Sequence, residues 1–172
     1  IDTGTEKLLC SVTDGVAVIT LNRPEARNAL SPELTPALRA MIKRMGDDPG
    51  VGAIVITGAG TAFCAGGDVK GMAARGPDER TDEEKVEDLI ERQRALTGAL
   101  VAVRKPTIAA LPGAAAGAGL ALALACDIRI AADTAFVSTG YARIGLTGDY
   151  GIAWLLTRLV GTSRARELMF TA

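Results

Sequence analysis

Apolar positions along the chain switch between a period of two and a period near 3.6, and the switches mark out elements. In KLLCSVTDGVAVITLNRP, two short apolar runs flank Asp14-Gly15, which predicts a hairpin whose second strand, Val16 to Leu21, stops before Pro24. The helical period takes over in SPELTPALRAMIKRMGDD, where Leu34, Leu38, Met41, Ile42 and Met45 form one stripe. Ser31 is its expected N-cap, with Pro32 at the first helical position and Glu33 in the first turn. Ala53 to Thr57 reads as a short buried strand that runs into the Gly-rich loop TGAGTAFCAGGDVKGM. The charged stretch around Gly76-Pro77 predicts an exposed, mobile loop over 75–84. A helix from about Glu83 to Val103 is expected to turn Val86, Leu89, Ile90, Leu96, Leu100 and Val103 inward. Then come a strand in PTIAALPG, a short helix in GAGLALALAC, strands in DIRIAA and AFVST, and two closing helices, DYGIAWLLTRLVG and SRARELMFTA. Strands alternate with helices, so the fold class is α/β, with a strand-strand-helix unit recurring about three times over one domain, 1–172.

One segment tests that reading. From Thr107 to Cys126 there is no charge, a length that could cross a bilayer. Its Ala and Gly are only weakly apolar, Pro112, Gly113, Gly117 and Gly119 interrupt it, and Arg104, Lys105 and Asp127 flank it closely. A core segment of small residues packed against other backbone is expected instead, and no membrane partner. Composition agrees: 48% of the 172 residues are hydrophobic but only 3% aromatic, so the core is Ala, Val, Leu and Ile. With 19 basic and 20 acidic residues the net charge is −1, which implies no nucleic-acid surface.

The residue inventory narrows the chemistry. There is no histidine, which removes Ser-His-Asp and Cys-His catalysis and histidine-bound zinc. Cys10, Cys64 and Cys126 lack metal-ligand spacing and read as free thiols of a reducing cytoplasm, so no metal site is expected. The chain opens at Ile1 and closes partway through a helical pattern, which suggests an excerpt of a longer protein.

Two loops stand out. AGGDVKGM leads small residues into Asp68 at a plausible helix N-cap, and the details of a dinucleotide fingerprint or a P-loop are missing. Gly113, Gly117, Ala118 and Gly119 likewise precede a helix. Two loops of this kind, each following a buried strand, could offer two backbone N–H groups to one carbonyl oxygen.

LNRPEARNAL (21–30), AFCAGGDVKGM (62–72), KPTIAALPGAAAGAGLALALACDIRIA (105–131) and ARIGLTGDYGIAWLLTRLVG (142–161) together resemble the crotonase, or enoyl-CoA hydratase/isomerase, superfamily. The resemblance covers nearly the whole chain. It implies a spiral of ββα turns, an acyl-CoA thioester as substrate, and a homotrimer or dimer of trimers built with a helical region mostly absent here. It also places the two N–H groups that hold the thioester oxygen on Gly67 and Ala118, where the second is more usually glycine. The CoA moiety would lie along Arg23, Ala26, Ala65, Asp68, Val69 and Lys70. CoA is then part of the substrate, and no separate cofactor is implied. Asp127 fits the family pattern as a structural residue.

The resemblance breaks at the two glutamates that hydratases use, which fall on Ala121 and Tyr141. A methyl group moves no proton, and a phenol with an ordinary pKa near 10 is a poor base at neutral pH. Asp149, eight residues beyond Tyr141, occupies a position where some members carry a catalytic aspartate. Two roles stay open for it, a cap on the helix YGIAWLLTRLV and a proton carrier. Burial beside Ile144, Leu146 and Trp154 would raise its pKa and a helix N-terminus would lower it, so the sequence leaves the net shift open. Three functional readings follow: an isomerase that shifts a double bond with Asp149 as base, an enoyl-CoA hydratase, and an acyl-CoA-binding regulator without catalysis.

Overall fold

A computed structural model describes residues 1–69, 71 and 78–172. Strands β1 (Leu8–Thr13) and β2 (Val16–Leu21) form the expected hairpin, with Thr13 paired to Val16. Both intervening residues have positive φ, 50° at Asp14 and 76° at Gly15, the conformation a two-residue connection needs. Helix α1 (Leu34–Asp47) buries all five residues of the predicted stripe, together with Thr35. Ser31 caps it: its Oγ accepts from the Leu34 N–H at 3.1 Å and its carbonyl accepts from Thr35 at 3.0 Å.

The remaining elements wind as a spiral. β3 (Ala53–Gly58) leads to β4 (Ala62–Cys64), and β5 (Thr107–Leu111) to β6 (Ala114–Ala116) and helix α4 (Ala118–Leu124). β7 (Ile128–Ala131) leads to β8 (Val137–Ser138) and helix α5 (Ile152–Thr171). Between β4 and β5 runs α2 (Asp82–Gln93), a π-helical turn at Arg94–Gly98, and α3 (Ala99–Ala102). First strands of successive turns join a five-stranded sheet, β1-β2-β3-β5-β7, and second strands a three-stranded sheet, β4-β6-β8. All pairings except β1-β2 are parallel.

The core lies between α1 and one face of the large sheet, where Ala17, Ile19, Leu21, Ile54, Ile56 and Ala109 are buried. The uncharged segment resolves into β5, β6 and α4, whose seven residues are all buried. Among the described residues no helix is long and apolar enough to cross a membrane.

Several expectations need correction. Strands β4 and β6 lie in stretches that read as loops, because three residues are too few to carry a period. Residues 75–77 of the expected mobile loop, Gly76-Pro77 among them, lie outside the described residues. The helix starts inside its far end, at Asp82, because Thr81 and Glu84 form a reciprocal capping box. Of the helix's expected inward stripe, Leu96 and Leu100 are buried and Val103 packs against the core. Val86, Leu89 and Ile90 are instead 54%, 43% and 44% exposed, because nothing among the described residues covers that end of α2. The two closing helices are as expected: α5 consists of two helical stretches that meet at a kink where Gly161 takes φ 78° and ψ 165°.

Candidate active site

The chain segment after β4 is held by α1's approach loop. Leu30 bridges Gly67 in parallel fashion: the Leu30 N–H donates to the Gly66 carbonyl at 2.8 Å, and the Asp68 N–H donates to Leu30 at 3.1 Å. In such a bridge the flanking residues make the bonds, so the N–H of Gly67 points away from Leu30. Gly67 is exposed and Gly66 buried.

The second loop is brought against the first by glycine. A Cβ on Gly119 would stand 2.2 Å from the Cys64 carbonyl oxygen, and one on Gly66 2.8 Å from that of Ala116 and 3.4 Å from the Ala118 nitrogen. Only residues without a Cβ permit this approach, and it brings the turn before α4 to the turn after β4. Ala118 is the first residue of α4, so its N–H has no acceptor within the helix. Its methyl group leaves the backbone donor unchanged.

Gly67, Ala118 and Asp149 line one cavity of about 600 Å³, together with Leu30, Pro36 and Asp68. This size suits a small-molecule group. Asp149 Oδ1 accepts a hydrogen bond from the Tyr141 hydroxyl at 2.5 Å. Burial pushes the Asp149 carboxyl above the usual carboxylate range, while the Tyr141 hydrogen bond opposes that rise. Burial, and then the bond to Asp149, push the Tyr141 phenol well above its ordinary value, so it stays protonated and donates. Ala121 is fully buried in α4.

One expectation about Asp149 is overturned. Its side chain does not cap α5, whose N-cap is Gly151 at φ 73°; only its carbonyl accepts from Ile152, at 3.0 Å. The tyrosine hydroxyl has taken the carboxylate instead. The burial that raises its pKa is as expected, although Ile144, Leu146 and Trp154 are themselves 54%, 53% and 57% exposed; Trp154 stacks under Arg158.

The residues expected along CoA gather at the same end of the molecule. Arg23 is spent inside the protein, donating to the Ala29 carbonyl at 2.7 Å and pairing with Asp68 at 3.2 Å. Asp68 Oδ1 also accepts from the Gly71 N–H, the helix-capping bond expected of it. Ala26 ends a 3-10 turn, Pro24–Ala26, and the Ala65 N–H donates to Arg27 at 3.0 Å, which ties these two loops together. Val69 is 55% exposed beside them, and Lys70 lies outside the described residues. Asp127 is structural: its carboxylate accepts from both the N–H and the hydroxyl of Thr107. The three cysteines are free and buried, and burial pushes the Cys64 and Cys126 thiols up to about 12, so neither is a ready nucleophile.

Other residues of the site were not singled out from sequence. Asn28, fully buried, accepts from the Arg23 N–H and donates to the carbonyls of Ala59 and Ala62, which pins the loop before α1 to the loop before β4. Thr97, in the π-helical turn, donates to the Tyr150 carbonyl at 3.0 Å and so holds the residue after Asp149. Arg39, Arg92 and Tyr150 join the cavity wall. An asparagine with φ 57° inside a motif is the one signal of these that sequence offers.

A family model described as enoyl-CoA hydratase/isomerase matches residues 11–172. A probable enoyl-CoA hydratase of Mycobacterium tuberculosis is 43% identical over 164 residues, covering 95% of this chain and 62% of that protein. One of Rhodobacter capsulatus is 43% identical over 161 residues, covering 94% and 60%. Among solved structures, a putative enoyl-CoA hydratase/isomerase from Mycobacterium abscessus superposes with a TM-score of 0.86 at 38% identity, over 95% of this chain and 63% of that one. An enoyl-CoA hydratase from Bacillus anthracis superposes with a TM-score of 0.87 at 32% identity, over 97% and 63%. The spiral of strand-strand-helix turns is thus the crotonase fold, and the chain belongs to the enoyl-CoA hydratase/isomerase family. It spans about three fifths of the length of these relatives.

Proposed function

We propose that this protein binds acyl-CoA thioesters, stabilises their enolates, and shifts a carbon–carbon double bond by a single base. The observation that carries this reading is the shared cavity: Gly67 and Ala118, with their backbone N–H groups, and one half-buried carboxylate, Asp149, line the same space. The N–H pair receives the thioester oxygen. Asp149 takes a proton from the carbon next to the thioester, leaving an enolate conjugated with the double bond, and returns it to the far end of that system. Tyr141 remains neutral and steadies the carboxylate between the two transfers. The CoA moiety runs along Arg23, Ala26, Ala65, Asp68, Val69 and Lys70, largely through backbone atoms, since the Arg23 and Asp68 side chains are engaged with each other. The assembly is a homotrimer, and the site of action is the cytoplasm, where the buried thiols stay reduced.

Hydration by two carboxylates lacks both of its glutamates, at Ala121 and Tyr141, although relatives are named probable hydratases. Incubation with matched 3-enoyl- and 2-enoyl-CoA thioesters separates the readings. Conversion of the 3-enoyl to the 2-enoyl thioester without water addition is the expected result. A 3-hydroxyacyl product from the 2-enoyl thioester would make it a hydratase, and binding without any product a regulator.

A further inference from the structure

The cavity wall carries more positive charge than a hydrocarbon acyl chain requires. Arg39 reaches it from α1 and Arg92 from α2. The carboxylates of the same wall are already engaged, Asp68 with Arg23 and Asp149 with Tyr141. Arg92 is engaged as well, through Asp88 at 2.7 Å. Arg39 differs. Among the described residues it makes no ion pair, and residues 70 and 72–77 include no acidic side chain. Its Nε is shielded from solvent and meets no acceptor. Tyr150 lines the same cavity, and the Thr97 bond to the Tyr150 carbonyl holds that residue in place.

We propose that Arg39, with Tyr150 on the same cavity wall, is a subsite for a carboxylate at the far end of the acyl chain, so that the preferred substrates are ω-carboxyacyl-CoA thioesters. This rests on the acyl-CoA reading above. A guanidinium presents its donors as a planar fork that matches the two oxygens of a carboxylate, and a tyrosine hydroxyl adds one further donor. An alkyl chain in the same place would remove water from the guanidinium and offer nothing in return, so the arrangement selects for the charged chain and against the uncharged one.

The same guanidinium would also suit a phosphate of CoA, and matched thioesters separate the two sources. Calorimetric titration with saturated ligands, which cannot turn over, reads binding alone: succinyl-, glutaryl- and adipyl-CoA against butyryl-, valeryl- and hexanoyl-CoA. At least one dicarboxylic ligand should bind roughly 10- to 100-fold more tightly than its uncharged counterpart, the range of a charge-assisted hydrogen bond. Arg39→Met should abolish that preference by weakening the dicarboxylic series while the uncharged series binds at least as tightly as before, and Arg39→Lys should retain part of the preference. Thermal unfolding checks that each variant is folded, and Arg39→Lys alone carries the test if Arg39→Met is not. Equal binding of both series by the wild type overturns the subsite and leaves the acyl-CoA reading standing. Equal weakening of both series by Arg39→Met also overturns it, by assigning Arg39 to a CoA phosphate. Failure of every thioester to bind overturns the subsite together with the reading beneath it.

Discussion

Asp149 sits under two opposed influences, burial that favours its neutral form and a tyrosine hydroxyl that favours its charged form. Tyr141→Phe removes the second. The Asp149 pKa should then rise further, so the acid-side limb of the pH profile of kcat/KM, where the base deprotonates, should move to higher pH. An unshifted limb would show that Asp149 is not the titrating base. Linkage gives a second expectation. The folded pKa of Asp149 stands above the unfolded one, so the stability it contributes is present below the unfolded pKa and lost as pH rises through the folded pKa. Asp149→Asn cannot ionise and still offers an acceptor to Tyr141. It should melt above the wild type at neutral pH, with the gap closing as pH falls. A wild type that is the more stable at neutral pH would contradict the burial argument.

At the scale of elements, the site depends on how closely α4 approaches β4. Gly119→Ala drives a methyl group into the Cys64 backbone, an overpacking that typically costs about 1–3 kcal/mol and should also part the two loops. Gly46→Ala, in α1, meets only Val103 at 3.5 Å, and should stabilise by about 0.5–1 kcal/mol through helix propensity. Denaturant unfolding of the pair checks both, and equal effects would mean that the contact at Gly119 is not tight. The same contrast explains what sequence could reveal. The Asp14-Gly15 hairpin, the stripe of α1 and the buried α4 rest on local pattern, and the Gly-rich loops carried their own warning of close approach. β4 and β6 were invisible because three residues are too few to show a period. The exposed end of α2 was misread because amphipathicity marks an apolar face without saying what covers it. Arg39, Thr97 and Tyr150 come together only through the packing of α1, the π-helical turn and the loop before α5, which no local pattern records.

At the scale of the whole molecule, the spiral leaves β7, β8 and α5 with large apolar side chains in the open. Ile130, Phe136 and Phe170 are 63%, 62% and 79% exposed, and Ile128 and Val137 stand beside them. Apolar surface of this extent marks a face made for contact. Sedimentation equilibrium should give a species larger than the 17.7 kDa of one chain. A monomer at every concentration would contradict the proposed trimer.

The central claim is that one carboxylate, rather than a pair of glutamates, moves the proton, and Asp149→Asn tests it most directly. Isomerisation of a 3-enoyl-CoA, followed as formation of the conjugated 2-enoyl thioester, should fall by roughly 100- to 10,000-fold, the contribution of a positioned base. Binding of the thioester, measured alongside, should be retained. Isomerisation by Asp149→Asn at the wild-type rate, or efficient hydration of a 2-enoyl-CoA by both proteins, would contradict the account.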